Sequence, residues 1–268
     1  MQTNANANIE YYDKMSQIYD KKHLINLDDY PLFKKQIKKL FKGKKGLYGK
    51  KILDCGCGSG RGAIKFCKMG CKVSAIDISP EITKKCYENG KKYGYRINTQ
   101  AADCRSLPFD DNSFDVVSTS AALHHMEDLE KCLKEFYRVT DKGGALVLLG
   151  EPKKCTIRPD WVRAKKEELS AAYDMKMCGV KQTNVNPDVY IFDVEMLKRL
   201  IRKIGYKDIR VEYFFFLSSL YRDFLYFRIT NEKLRKILLD LTRIIDTYLL
   251  FWLPKKNYAL FNLAAWKE

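Results

Sequence analysis

Short apolar runs alternate with amphipathic stretches along the middle of this 268-residue chain. In the amphipathic stretches, apolar residues recur every third or fourth position, the spacing of a helix with one buried face. Buried strands that alternate with such helices predict right-handed crossovers and a parallel sheet covered by helices on both faces. The predicted strands are 51–55, 71–78, 96–103, 114–120 and 143–152, and the predicted helices are 63–70, 79–93 and 126–140.

Different patterns flank this core. Residues 1–8 are predicted to be a disordered tail, and two helices, 9–22 and one that follows Pro31, precede the first strand. After Pro152 the strict alternation ends, although strands and helices continue. The predictions there are helix 160–175, loop 176–190, helix 193–204, strand 208–217, a long amphipathic helix 231–252 and a last strand 257–268.

Composition places the chain among globular proteins, with 46% hydrophobic and 31% charged residues. The first residues, MQTNANANIE, contain no apolar signal segment, and the nine cysteines are scattered. We therefore expect a cytoplasmic protein with reduced, mostly buried thiols. The cysteine pairs lack a second pair at zinc-site spacing, so no metal site is predicted.

Positive charge is spread along the chain, which has a formal net charge of +16. The one dense lysine cluster lies between residues 34 and 51. It indicates either a solvated helix face or contact with an anionic lipid, a phosphate or RNA. Because no basic stripe is interleaved with aromatic residues, nucleic acid is the less favoured partner.

A glycine-rich turn follows the first predicted strand, in the sequence ILDCGCGSGRG. Asp54, Gly56, Gly58 and Gly60 form the pattern D-x-G-x-G-x-G. Glycines permit positive φ and let a ligand approach the backbone, and the helix that follows offers free N–H groups. The spacing differs from the G-x-G-x-x-G of dinucleotide-binding proteins.

Acidic residues end the next two predicted strands. Asp77 lies about 20 residues after the turn, where a carboxylate binds ribose hydroxyls, and Asp103 ends the third strand. Because the carboxyl ends of parallel strands meet at one edge of the sheet, we expect Asp54, Asp77 and Asp103 to border one crevice. A carboxylate at Asp103 can accept a hydrogen bond from the exocyclic amine of adenine.

These segments resemble the class I S-adenosylmethionine-dependent methyltransferases of the type 11 subgroup. The resemblance covers residues 50–152 and is carried by ILDCGCGSGRG, AIDIS and AADCRSLPFDDNSFDVVSTSAALHHMEDLEKCLKEFYRVTDKGGALVLL. It implies an α/β, Rossmann-like, seven-stranded and mostly parallel sheet with helices on both faces, an antiparallel last strand and a helical acceptor-side insertion. The implied single domain comprises a helical lid (9–49), a cofactor-binding core (50–152), a helical and aromatic acceptor-side region (153–257) with a strand near 208–216, and a final strand (258–268).

The resemblance also implies the cofactor, S-adenosyl-L-methionine, and its product, S-adenosyl-L-homocysteine. The glycines would pack under its methionine and ribose parts, Asp54 would orient the turn or meet the amino group, and the N-terminal tyrosines would cover the site. The implied cofactor-binding residues are Asp54, Gly56, Gly58, Gly60, Asp77, Ile78 against the adenine, Asp103, Cys104 through its N–H, Ser120 beside the methionine and Tyr19 in the lid.

Catalytic candidates lie in AALHHME, directly after the fourth strand, and at the end of the fifth strand. His124 is the preferred general base over His125, since a neutral imidazole accepts a proton near physiological pH. The alternatives are that a histidine lines the pocket or caps the next helix. Glu151 is a further acceptor-side candidate at the crevice. A base is needed only if the acceptor is a hydroxyl or an acidic carbon.

The predicted function is therefore methyl transfer to a small, lipid-linked or glycan-linked acceptor, at oxygen or carbon. One alternative is a transfer RNA methyltransferase, which salt-sensitive retention on that RNA would support. Another is a protein that binds the cofactor without catalysis, which the release of S-adenosylhomocysteine would exclude. The apolar stripe of helix 231–252 predicts packing on the sheet, a homodimer contact or a peripheral membrane contact.

Overall fold

The computed structural model describes residues 4–16, 30–154, 191–214, 231–248 and 258–268, with the single positions 221, 229 and 254. The predicted helix 160–175, the predicted loop 176–190 and Tyr19 lie outside these residues.

A seven-stranded sheet forms the centre of the described structure, in the order β3-β2-β1-β4-β5-β7-β6. Neighbouring strands from β3 to β5 are parallel, and β7 is antiparallel to both β5 and β6. The predicted Rossmann-like sheet with an antiparallel last strand is thus confirmed. The strands are β1 (Lys51–Cys55), β2 (Lys72–Asp77), β3 (Asn98–Ala101), β4 (Phe114–Ser120), β5 (Thr140–Pro152), β6 (Tyr206–Phe214) and β7 (Leu260–Lys267).

Local sequence signals set several helix ends. Ser79 accepts a hydrogen bond from the Ile82 N–H and Pro80 occupies the first turn, which confirms the predicted start of α4. Asp193 caps α6 in the same way. The described helices are α1 (Asn4–Met15), α2 (Tyr30–Leu40), α3 (Arg61–Lys68), α4 (Pro80–Lys92), α5 (Leu129–Val139), α6 (Val194–Ile204) and α7 (Glu232–Tyr248).

Several predicted boundaries differ from the structure. Helix α5 begins at Leu129 rather than 126, β3 spans Asn98–Ala101 rather than 96–103, and β6 begins at Tyr206 rather than 208. Helix α1 begins at Asn4, where a disordered tail was expected. Strand β5 begins at Thr140 rather than 143, because Thr140 pairs with Phe114 of β4 ahead of a register shift. Hydrophobic periodicity alone does not fix these boundaries.

The core lies on both faces of the sheet, as the alternation predicted. Adjacent residues of a strand point to opposite faces, so Ile52 belongs to the core cluster that includes α2 and α3, whereas Leu53 belongs to the cluster that includes α5 and α6. Helix α7 joins neither core cluster: its Leu239 packs with Tyr221 in a small separate one.

The Lys267 ammonium joins the end of β7 to the last turn of α5, to the start of β5 and to the loop before β4. It donates to the backbone oxygens of Tyr137 (2.8 Å) and Thr140 (2.7 Å) and to Asn112 Oδ1 (2.8 Å). Burial lowers the pKa of Lys267. The antiparallel end of the sheet is therefore secured by a largely buried cation whose donors are satisfied by protein oxygens.

Replacing this cation should destabilise the fold. Lys267→Met leaves the oxygens of Tyr137 and Thr140 without their donor, and we expect a loss of about 2–4 kcal/mol in the free energy of unfolding. Urea denaturation measures it. Lys207→Met, which removes an exposed ion pair with Glu268, is the matched control and should leave the midpoint unchanged; equal midpoints for the two variants would contradict the role given to Lys267.

Candidate active site

The glycine turn between β1 and α3 is closely enclosed by its neighbours. Gly56 and Gly60 have φ values of 67° and 95°, in the left-handed region. A Cβ added at Gly56 would lie 2.7 Å from Ala122 Cβ, and one added at Gly60 would lie 2.8 Å from Cys86 Sγ. Glycine is therefore required at both positions by backbone conformation and by space.

Asp77, at the end of β2, ties this turn to the start of α4. Its Oδ2 accepts from the Gly58 N–H (3.0 Å) and its Oδ1 from the Ser79 N–H (3.3 Å). Burial raises the pKa of Asp77, and these amides offset part of that rise. Each oxygen keeps a lone pair that can accept a ligand hydroxyl.

Asp54 is a buried carboxyl with little to stabilise its charge. It is 0% exposed, and among the described residues neither oxygen has a partner at hydrogen-bond geometry. Burial, with a smaller contribution from Asp77, raises the pKa of Asp54 to about 7, although the Ala63 amide opposes the rise. Gly62 lies against the carboxyl, since a Cβ added there would be 2.9 Å from Asp54 Oδ2. The site thus holds a carboxyl that a positively charged ligand group would stabilise.

Asp103 lies just beyond β3 and is held by Arg105, which sequence reasoning missed. Arg105 donates through Nε and Nη2 to the two oxygens of Asp103 (3.1 and 2.6 Å) and through Nη1 to Glu127 Oε2 (2.9 Å). Hydrogen bonding to this guanidinium keeps the pKa of Asp103 below its usual value despite burial. The arginine fixes the orientation of Asp103 and links the loops that follow β3 and β4.

Three other predicted residues border the same edge of the sheet. Ile78 and Cys104 are half-buried immediately beyond Asp77 and Asp103, and Ser120 is half-buried at the end of β4. The Ser120 Cβ lies 3.3 Å from the place of a Cβ added at Gly62. The structure therefore brings all the predicted cofactor residues that it describes to one edge; their contacts with a ligand stay predictions.

Glu151 is placed differently from the prediction. It was expected to face the crevice, but it is 0% exposed. Its Oε1 accepts from Thr119 Oγ1 (3.2 Å) and from the N–H groups of Ala122 (3.1 Å) and Leu123 (3.0 Å). The expectation rested on the position of Glu151 at the end of a parallel strand, which does not determine the direction of its side chain, and β5 is irregular between Leu148 and Glu151. Glu151 therefore stabilises the turn after β4 through buried hydrogen bonds.

His124 stands in front of this carboxylate. Its Nδ1 lies 2.8 Å from Glu151 Oε2, which also accepts from the His124 N–H (3.3 Å). When Nδ1 carries the ring proton it donates to the carboxylate, and Nε2 is then the unprotonated nitrogen of the neutral ring. The His125 ring packs on that of His124, with centroids 4.0 Å apart. The arrangement therefore suits His124 to accept a proton through Nε2.

Helix α1 spans the crevice above these residues. At one side the Tyr12 ring packs edge-on to His125, 6.5 Å between centroids. At the other, Asp13 accepts hydrogen bonds from the Ser79 hydroxyl and the Glu81 N–H at the start of α4. The helix thus connects the end of β2 with the turn after β4, the position expected of a lid. Among the described residues no group of three or more His, Cys, Asp or Glu could hold a metal ion.

Comparison with solved structures supports the fold class. The [4+2]-cyclase SpnF superposes with a TM-score of 0.63 at 18% identity, covering 99% of this chain and 97% of that one. At this identity the likeness concerns the fold alone. The sheet order and the glycine turn after β1 define the class I methyltransferase fold.

Comparison of sequences points to the same class. Residues 53–148 match the methyltransferase-domain family of the type 11 group. The chain is 32% identical over 154 residues to a demethylmenaquinone methyltransferase of Paenarthrobacter aurescens, covering 56% of each. It is 34% identical over 141 residues to a ubiquinone/menaquinone biosynthesis C-methyltransferase of Bdellovibrio bacteriovorus, covering 52% of this chain and 59% of that protein. The chain thus spans little more than half the length of these two relatives.

The buried Asp54 gives stability a specific pH dependence. The folded protein holds the Asp54 proton more tightly than the unfolded chain, so this residue's contribution to stability is lost as pH rises from about 4 to 7 and the carboxyl ionises. Asp54→Asn carries no such loss. We therefore expect the stability of the variant relative to wild type to increase from about pH 5 to about pH 8 in urea denaturation.

Asp115→Asn is the control for this experiment. Its ion pair with Lys50 contributes to lowering the pKa of Asp115, so the stabilising effect of that carboxylate is complete above about pH 5. The difference between this variant and wild type should stay constant over the same range. A constant difference for Asp54→Asn as well would show that Asp54 does not have a raised pKa.

Proposed function

We propose that this chain transfers a methyl group from S-adenosylmethionine to the hydroxyl or acidic carbon of a small or lipid-linked acceptor. The observation that carries the proposal is the His124–Glu151 pair, which lies at the end of β4 beside the glycine turn. A base in this position is useful when the acceptor must lose a proton. The family match over residues 53–148 supports the choice of methyl donor.

The residues present fit this cofactor. Asp77 would accept from the ribose hydroxyls, Asp103 from the adenine amine, and Ile78 would pack on the adenine. The Asp54 carboxyl, buried without a hydrogen-bond partner among the described residues, would complement the positive amino group of the methionine part. When bound, the cofactor supplies a sulfonium methyl group with a neutral thioether as leaving group.

His124 would take the acceptor proton on Nε2. Glu151 holds the Nδ1 proton, fixes the tautomer and stabilises the imidazolium that forms. Its own charge is stabilised by the hydroxyl of Thr119 and by backbone amides of the turn. The turn thus positions the base and its partner as one unit, and the cover of α1 limits the access of water.

The relatives favour an acceptor of lipid character. The Paenarthrobacter relative is a demethylmenaquinone methyltransferase, and the reduced form of such an acceptor carries a hydroxylated ring on an isoprenoid chain. Removal of the proton from a ring hydroxyl makes the adjacent ring carbon nucleophilic. A base at His124 would therefore serve methylation at carbon as well as at oxygen.

The cofactor assignment is tested by calorimetric titration with S-adenosylmethionine and S-adenosylhomocysteine. We expect micromolar binding to the wild type, and Asp77→Asn should raise Kd about 30-fold, or about 2 kcal/mol, because one acceptor becomes a donor. Asp110→Asn, in an exposed loop, is the control and should bind as the wild type does. A folded wild type that binds neither ligand would overturn the assignment.

The base assignment is tested by release of S-adenosylhomocysteine with demethylmenaquinol as acceptor. His124→Asn should lower kcat at least ~100-fold, and Glu151→Gln at least ~10-fold because the amide cannot hold the Nδ1 proton. Neither variant should change the Kd of the cofactor, which separates a role in proton transfer from a role in cofactor binding. Release of S-adenosylhomocysteine at the wild-type rate by His124→Asn would show that His124 is not the general base. Release with transfer RNA but not the quinol would favour the RNA alternative, and cofactor binding without release on either acceptor would favour a non-catalytic protein.

A further inference from the structure

Helix α7 turns an apolar stripe to the outside of the molecule. Its members are between 47% and 54% exposed and are the only exposed leucine or isoleucine side chains among the described residues. Their spacing of three and four positions places them along one face of the helix. They are Leu234, Ile237, Leu241 and Ile244.

The opposite face of α7 is partly polar and lies inward. Arg235 and Asp246 are 6% and 5% exposed, and the apolar residue buried with them is Leu239. The carbonyl of Arg235 accepts from the buried Tyr221 hydroxyl (3.1 Å). An amphipathic helix that serves only the fold turns its apolar face inward. The reverse arrangement indicates that the exposed stripe contacts something outside the chain.

Area and charge favour a membrane over a second copy of the chain. Four half-exposed aliphatic side chains offer about 300–400 Å², less than half of the roughly 800 Å² per partner of a stable dimer. Insertion into the headgroup boundary of a bilayer needs no matching protein surface. Lys233 is exposed beside the stripe, and the net charge of +16 complements anionic lipid.

We propose that α7 lies on the surface of an anionic lipid bilayer with this stripe inserted at the headgroup boundary. The contact is peripheral: none of the described helices is long and apolar enough to cross a membrane. A lipid-linked acceptor of the proposed function would reside in the same bilayer. Binding to vesicles does not require methyl transfer, so this proposal and the proposed function can fail separately.

The test is co-sedimentation of the full chain with phosphatidylcholine vesicles that contain phosphatidylglycerol. We expect the wild type to bind, and Ile237→Ser/Ile244→Ser to lower the partition coefficient at least ~10-fold through loss of inserted apolar surface. Met196→Ser removes another exposed large apolar side chain, 60% exposed on α6, and should bind as the wild type does. Since all three substituted positions are exposed, thermal unfolding should be unchanged.

Three outcomes would overturn the proposal. The wild type could stay in the supernatant with these vesicles, the double variant could bind as tightly as wild type, or the Met196 control could lose binding equally. A concentration-dependent dimer in analytical ultracentrifugation, lost in the double variant and accompanied by no vesicle binding, would assign the stripe to a second copy. Weaker vesicle binding by Lys233→Glu at low salt, with the difference lost at high salt, would support the anionic-lipid component.

Discussion

The conformation of the site depends on the hydrogen bonds that the Glu151 carboxylate accepts. The carboxylate accepts five hydrogen bonds, all from residues of β4 and of the turn that follows it. A carboxylate buried at this depth is stable only with such partners. Through Glu151, strand β5 therefore stabilises the turn that follows β4. The same carboxylate fixes the position of the His124 imidazole and favours the tautomer with a proton on Nδ1. The sheet thus acts as the rigid frame that positions the His124 ring.

Asp77 has the same role on the other side of the crevice. It connects the glycine turn of β1 to the cap of α4 through two backbone amides. Asp13 of α1 reaches that cap as well, and Tyr12 of the same helix reaches His125. One short helix is thus anchored at both of these sites, and its position depends on each.

The sequence predicted the features that have a local signal. Periodicity located the five core strands, Ser79 and Pro80 marked the start of α4, and the spacing of Asp54 and Asp77 placed them at one edge. The sequence could not show that Arg105 hydrogen-bonds to Asp103 and Glu127, because the loops after β3 and β4 meet there only in the folded chain. Glu151 was predicted to face the crevice because it ends a parallel strand, but the position along the strand does not fix the direction of its side chain, which is buried. The outward stripe of α7 is likewise a tertiary property, as periodicity defines a face but not its direction.

Asp54 shows how a site can be unfavourable in isolation and still suited to its ligand. A carboxyl that is 0% exposed and has no hydrogen-bond partner among the described residues favours its neutral form, with a pKa of about 7. A ligand cation beside it favours the charged form. Binding of such a ligand would therefore favour ionisation of Asp54, and ionisation would favour binding. The buried carboxyl costs stability at this position as its proton is lost.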